Sequence, residues 1–327
     1  NYLRDPICIM EKNIKLLINK SEITAGTRGS SLGPEAIMTA ARKIDNLFFG
    51  KYPLIHVQDA NEMLDMEVKY PFAKRIEGLV KVFESVSSEV KNTLDKGDFP
   101  LVIAADHGSA GGTIAGVKAA YPNKRLGVVW IDAHGDLHTP YTTPSGNMHG
   151  MPLATALNED NTQSAKNVLS EEEVKLWEEL KTMKTAGQRL KPEDLVFIAV
   201  RDTEDQEDAI IERLSITNHT VEQVRAKSKE SVLEEIKSQL SDCDIIYVSF
   251  DVDSMDPEYT SHGTGTPVDN GLMPDEAEFF LKELAKLEKT VCIEFVEVNP
   301  CLDEKTNKMA EVTFDLLEKT VQQLENN

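Results

Sequence analysis

The sequence predicts an α/β fold: a doubly wound, mostly parallel sheet with helices on both faces. Three observations predict it. Short β-branched apolar runs alternate with longer amphipathic stretches, the pattern of repeated strand–helix units. The runs are apolar on consecutive residues and not on every second one, as strands covered on both faces are. A chain of 327 residues, 40% of them hydrophobic, also suffices for one large α/β core, so 1–327 is read as a single domain.

In chain order, a helix is predicted where Ile76, Leu79, Val80, Phe83, Val86, Val90 and Leu94 recur at helical spacing, with Gly97 as its stop. Leu101 to Ala105 and Leu126 to Ile131 follow as strands. The polar stretch 158–194 reads as a helical excursion on the surface of the domain. Ser170 is its N-cap, Glu173 the capping-box partner, and Leu169 meets Val174 as a staple. Leu195 to Val200, Ile245 to Phe250 and Thr290 to Val296 are the later strands. From Lys305 onward a closing helix places Met309, Val312, Leu316 and Leu317 on one side. There is no internal repeat and no low-complexity segment.

The formal charge of −21 argues against a nucleic-acid partner, which needs a basic face to displace counterions, and equally against an anionic membrane surface. It mildly favours cationic ligands. No apolar run approaches the roughly 18–20 residues that span a bilayer. Asn1 to Ile9 carries Arg4 and Asp5 and no signal-peptide core. The four cysteines, Cys8, Cys243, Cys292 and Cys301, lack paired spacing, and Cys243 and Cys292 sit at strand edges as reduced core thiols. The expectation is a soluble protein of the cytoplasm. The sequon Asn218-His219-Thr220 reads as chance.

The chemistry is concentrated where apolar runs end. Val102-Ile103-Ala104-Ala105 runs into Asp106-His107, Val128-Val129-Trp130-Ile131 into Asp132-Ala133-His134-Gly135-Asp136, and Val248-Ser249-Phe250 into Asp251-Val252-Asp253. Ligands of open α/β sheets bind beyond the carboxyl ends of the strands, and the polar clusters fall there. In extended chain, residues two apart point the same way, so Asp132, His134 and Asp136 share a face, as do Asp251 and Asp253. With His107 they make a pocket of four carboxylates and two imidazoles, which a buried crevice tolerates only with cations. Two divalent ions balance the charge. Carboxylate and imidazole without thiolate suit manganese. A lone Asp-x-Asp at a strand end is ordinarily a turn cap; three such clusters at three ends are not. Five of the seven histidines (His107, His134, His138, His149, His262) lie in or just after these segments, leaving His56 and His219 as structural or surface residues.

These motifs resemble those of the arginases, the ureohydrolase family. Asp132-Ala133-His134-Gly135-Asp136 with Thr139-Pro140 and Ser145-Gly146-Asn147-Met148-His149-Gly150 is similar to the family's second signature. Ser249-Phe250-Asp251-Val252-Asp253 with Asp256-Pro257 and Thr264-Gly265-Thr266-Pro267 resembles the third. Asp106-His107 before a glycine-rich turn resembles the first, and Glu297-Val298-Asn299-Pro300 the late glutamate motif. Gly26-Thr27-Arg28-Gly29 and Leu32-Gly33-Pro34 are also family-like, so the resemblance spans most of the chain.

The resemblance implies two Mn²⁺ per subunit and hydrolysis of L-arginine to L-ornithine and urea by a hydroxide shared between them. His107, Asp132, Asp136 and Asp251 would hold one ion and His134 and Asp253 the other, with Asp132 and Asp251 bridging. Two metals lower the pKa of a shared water and supply the nucleophile near neutral pH. Asp136 would also orient it, Glu297 would pair with the guanidinium, and His149 would pass a proton to the leaving amine. Thr143, Ser145 and Asn147 resemble the loop that holds an α-carboxylate, while Asp202 and Glu204 would meet the α-ammonium and Thr266 lies on the substrate side. The family implies a homo-oligomer, a trimer or hexamer.

Four positions depart from the family pattern. His138 stands where arginases commonly carry an Asn, Glu204 where an Asp is common, Gly108 where Ser is frequent, and the loop 260–263 is one residue longer. None is an inferred metal ligand. The alternative is therefore another ureohydrolase: an agmatinase, a guanidinobutyrase or a guanidine-hydrolysing enzyme. A two-metal deacetylase would lack the Glu297 motif and the Ser-Gly-Asn-x-His-Gly loop. A metal-free binding module would have lost ligands that are all present here.

Overall fold

Eight strands hydrogen-bond into one sheet in the computed structural model, which describes residues 12–326. They are β1 (Ile14–Asn19), β2 (Leu54–His56), β3 (Phe99–Ala104), β4 (Leu126–Ile131), β5 (Leu195–Ile198), β6 (Thr217–His219), β7 (Ile245–Asp251) and β8 (Thr290–Val296). Their order is β2-β1-β3-β8-β7-β4-β5-β6, and every pair is parallel. Cys8 and the stretch Asn1 to Ile9 lie outside the described residues.

Alternate residues of the central strands pack to opposite faces, which is why their sequences read as unbroken apolar runs. Leu16, Ile103, Val129, Val248 and Phe295 face one core with the helices Gly33–Lys43, Pro274–Ala285 and Lys308–Glu325. Leu17, Val102, Val128, Trp130, Tyr247 and Cys292 face the other, with Ile76–Asp95 and Ala110–Ala120. The winding is thus double, as predicted, and the sheet is wholly parallel. Among the described residues no helix is long and apolar enough to cross a membrane.

Where the elements differ from expectation, local chemistry gives the reason. β5 stops at Ile198, short of Val200, because Ala199 takes a left-handed turn with φ 71°. The closing helix begins at Lys308, after a turn in which Asp303 accepts from the N–H groups of Lys305 and Met309. β1, interrupted by Lys15, and the three-residue edge strands β2 and β6 carried no apolar run long enough to predict. The helix at Ile76–Asp95 ends as expected at Gly97, φ 77°.

The capping box of Ser170 and Glu173 forms and opens the helix Glu171–Thr182. Its Trp177 is fully buried beside Leu79, Phe83, Met148 and Met151, so the excursion brings a small core of its own to the molecule. β8 is the last strand in sequence yet lies in the middle of the sheet, between β3 and β7. The four neighbours β3, β8, β7 and β4 deliver their carboxyl ends to one rim.

Candidate functional site

The side chains beyond those four strand ends converge. His107, just past β3, turns Nδ1 toward Asp132 Oδ2 at 2.9 Å, Asp136 Oδ2 at 3.1 Å and Asp251 Oδ2 at 3.2 Å. His134 Nδ1 lies 3.1 Å from Asp253 Oδ2 and 3.5 Å from Asp132 Oδ1. Two triads result, His107–Asp132–Asp251 and Asp132–His134–Asp253, whose donor atoms lie within 4.8 Å of one another and which share Asp132. All six sequence-predicted ligands are therefore in one place. The route differs from simple alternation along an extended chain. Asp136 turns in through a left-handed backbone, φ 49°, and Asp253 sits in a short 3-10 turn, Val252–Ser254, whose N–H bonds back to Asp251 Oδ1 at 2.8 Å.

The electrostatics are those of a cation site. Burial pushes Asp251 well above the ordinary carboxylate range, with repulsion from Asp253 and Asp132 added. Burial and the Asp132 charge push Asp136 up to about 6. Burial raises Asp132 too, but His107 and His134 overcome it and hold that carboxyl low. Burial depresses His107 and His134, and the surrounding carboxylates reverse this and raise both well above the usual imidazole value. His107 Nδ1 and Asp132 Oδ2 are buried and neither makes a well-directed hydrogen bond. Ser249 Oγ lies 2.7 Å from His107 Nε2, and Trp130 stacks on the ring at 4.0 Å and 4°. With Nε2 paired to Ser249, Nδ1 is the ring atom that faces the three carboxylates. A cation between them stabilises that arrangement. The donors present fit two divalent ions that prefer oxygen and nitrogen ligands.

Beside this cluster a cleft of about 240 Å³ opens, below the ~300–1,000 Å³ of drug-sized sites and suited to a small metabolite. Glu297 forms its inner wall in a left-handed conformation, φ 72°, and Oε1 accepts from His107 N at 2.9 Å. His149 Nδ1 is 3.6 Å from the same oxygen. Burial alone lowers His149, and Glu297, Asp136 and Asp106 turn the shift upward. Thr143, Ser145, Asn147, His138, Asp202, Glu204 and Thr266 all line the cleft. The geometry adds second partners: Asp202 Oδ2 is 3.6 Å from His134 Nε2, and Thr266 donates to Asp253 Oδ2 at 3.1 Å. His138 is buried, and burial followed by the Lys166 charge lowers its imidazole to about 4. Its Nε2 is 3.6 Å from both Glu204 and Glu207.

Sequence reasoning missed four contributors. Ser249 had a signal, a buried hydroxyl inside an apolar strand two residues before Asp251. Asp106, pushed up to about 7 by burial and then by Glu297, accepts from Thr24 N at 2.9 Å behind the site. Glu207, pushed up to about 7 by burial, looks in sequence like any helical acid, yet it lines the cleft and accepts from Leu137 N. Arg201 donates to five backbone oxygens, including Asp253 O at 3.0 Å and Val268 O at 2.6 Å, and ties the Thr266 loop to the Asp253 turn.

Comparison with known proteins places this geometry among relatives. The model of the arginase family matches residues 16–322. The chain is 32% identical to the arginase of Bacillus subtilis (strain 168) over 312 residues, 94% of this chain and 97% of that one. The solved arginase of Bacillus caldovelox superposes with a TM-score of 0.79 at 32% identity, covering 95% of this chain and 98% of the other. A structure described as a hypothetical agmatinase of Burkholderia thailandensis shares the fold at 18% identity, TM-score 0.69, over 100% of this chain and 88% of its own.

Proposed function

The chain belongs to the arginase family, enzymes that cut a guanidino C–N bond, and from that premise we propose that it hydrolyses L-arginine to L-ornithine and urea with two Mn²⁺ ions. His107, Asp132, Asp136 and Asp251 would hold one ion and His134 and Asp253 the other, with Asp132 and Asp251 serving both. The observation that carries this reading is the pair of donor triads sharing Asp132, with Glu297 and His149 paired beside them. Two such ions, when bound, lower the pKa of a water toward ~7 and polarise the bond to be cut.

The chain's own groups supply orientation and proton traffic. Glu297 is pinned by the His107 N–H through Oε1, which leaves Oε2, on the Gly265 side, to pair with the planar guanidinium. Asp136 directs Oδ2 at His107 and leaves Oδ1 on the Gly150 side to accept from the attacking water. Burial lowers His149, Glu297, Asp136 and Asp106 turn the shift upward, and the imidazole, 3.6 Å from Glu297, would pass a proton to the leaving amine. Asp202 holds the far nitrogen of His134 and so keeps its Nδ1 aimed at Asp253.

At the distal end, Thr143, Ser145 and Asn147 receive the α-carboxylate, and Asp202, Glu204 and His138 border the α-ammonium. Among the described residues no Lys or Arg lines the cleft, whereas Asp202, Glu204 and Glu207 do. That wall favours a substrate with a distal ammonium and disfavours 4-guanidinobutyrate, whose far end is only anionic. Agmatine, which keeps the amine and lacks the carboxylate, is the second reading, and buried, uncharged His138 is what favours it.

Urea release after manganese loading, with L-arginine, agmatine, 4-guanidinobutyrate and guanidine side by side, tests this. Preference for arginine is expected. Preference for agmatine moves the assignment to the second reading, and no urea from any substrate sinks the hydrolase reading.

A further inference from the structure

The carboxylate side of the cleft, residues 143–147, is irregular chain, yet it is held from two directions. On one side Lys74 N donates to Gly146 O at 2.9 Å. On the other, the start of the excursion covers the loop's carbonyls. Asn167 Nδ2 donates to Pro140 O at 2.9 Å and to Thr143 O at 2.7 Å. The backbone N–H groups of Lys166 and Asn167 both donate to Tyr141 O, at 2.8 and 3.0 Å. The brace is itself anchored: Thr139 Oγ1 donates to Asp160 O at 2.8 Å, and Asp160 Oδ1 accepts from Trp177 Nε1 and Lys181 Nζ, each at 2.7 Å.

We propose that Asn167 is a positioning residue for substrate selectivity, its amide spanning Pro140 and Thr143 so that Thr143, Ser145 and Asn147 stand ready for a carboxylate. The inference rests on the arginine reading above. Thr143 Oγ1 accepts from Gly146 N at 2.9 Å and Ser145 Oγ from Asn147 N at 3.1 Å, so fixing Thr143 fixes the turn that carries the other two. Ordering backbone costs conformational entropy. A braced loop meets that cost during folding; an unbraced one meets it at each binding event. The loss then falls only on ligands that engage the loop. No inferred metal ligand lies between Pro140 and Asn167, and His149, which does, has its own anchor in the N–H it donates to Thr24 O at 3.3 Å, so metal binding and proton transfer do not depend on the Asn167 amide.

The test uses the manganese-loaded full chain with Asn167→Ala and Asn167→Asp; the second places a carboxylate oxygen against two carbonyls. Asn167→Ser serves if either fails to fold. Expected are a rise of about tenfold in KM for L-arginine and a matching rise in the inhibition constant of L-ornithine. Within about twofold of wild type should stay kcat, manganese content and inhibition by agmatine, which has no carboxylate. Unchanged arginine binding overturns the proposal. So does equal weakening of arginine and agmatine, or a fall in kcat alone, since these mark general structural support. A wild-type enzyme that releases no urea from arginine removes the underlying reading, and the proposal falls with it. An arginine-hydrolysing wild type with indifferent variants overturns the proposal alone.

Discussion

Replacing Gly146 by Ala should cut arginine turnover sharply and destabilise the fold at the same time. Gly146 sits at φ +75°, where an L side chain costs roughly 1–2 kcal/mol. A Cβ there would lie 1.9 Å from Pro71 O, 2.9 Å from Pro71 C and 3.2 Å from Phe72 Cα. All three are backbone atoms and cannot rotate away. Real Cβ contacts essentially never fall below 3.0 Å, so the turn must retreat by at least 3.0 − 1.9 = 1.1 Å. Ser145 and Asn147 flank that residue and must move with it. A misplacement of about 1 Å can cost about 10²-fold in rate, so kcat/KM for L-arginine should fall about 10- to 100-fold. Overpacking adds about 1–3 kcal/mol of destabilisation. Steady-state urea release, calorimetric Tm and bound manganese are the measurements. Gly97→Ala is the control: φ +77° with nothing within 4 Å of the new Cβ, so it carries the backbone cost and leaves kinetics alone. A Gly146→Ala enzyme with kcat/KM within twofold of wild type would refute the reasoning, as would loss of manganese in place of loss of arginine binding.

Other perturbations read other parts of the site. His149→Asn should lower kcat by about 10²-fold or more while moving KM less than about threefold, because it removes a proton donor and no binding group; a comparable loss in KM would contradict that. Ser249→Ala removes the hydroxyl 2.7 Å from His107 Nε2 and should weaken manganese binding by about 10- to 100-fold, read by chelator competition. An unchanged dissociation constant would show that Ser249 does not hold the ring. Removal of manganese should expose a pH dependence. Asp136 is pushed up to about 6 and Asp251 well above its ordinary value, by burial first. Because the folded values exceed the unfolded ~3.9, the folded state binds more protons, and the stability of the metal-free protein falls as pH rises from about 4 through 6. Metal displaces those protons. The gain in Tm on adding Mn²⁺ should therefore be larger at about pH 7.5 than at about pH 5; a gain that is flat or shrinks with pH would contradict the assignment.

The central strands and the metal donors were legible for one reason: β3, β4 and β7 run straight into His107, Asp132 and Asp251, so an apolar run and its acidic end sit side by side in the sequence. The path to the pocket was not legible. Asp136 arrives through a left-handed residue and Asp253 through a 3-10 turn, neither of which strand periodicity encodes. β1 was hidden by Lys15, whose neighbours are apolar, and β2 and β6 by their length of three residues. Asn167 was invisible because its partners, Pro140 and Thr143, are backbone carbonyls, and a carbonyl carries no signature of who will bond it. Glu207 was invisible because half of its work, accepting from Leu137 N, is likewise done against backbone.

The place of β8 bears on how the molecule is made. Without residues 290–296 the strand order falls into two groups, β2-β1-β3 and β7-β4-β5-β6, each with an inner edge that β8 alone pairs. The final strand bridges them, pairing Leu101 with Ile293 and Phe250 with Phe295. Contacts so distant along the chain form slowly and leave edges open to wrong partners meanwhile. Five of the six metal donors belong to the second group and His107 to the first. The donor set that includes His107 is thus completed only when the sheet closes, whereas the set around His134 and Asp253 lies within one group of strands.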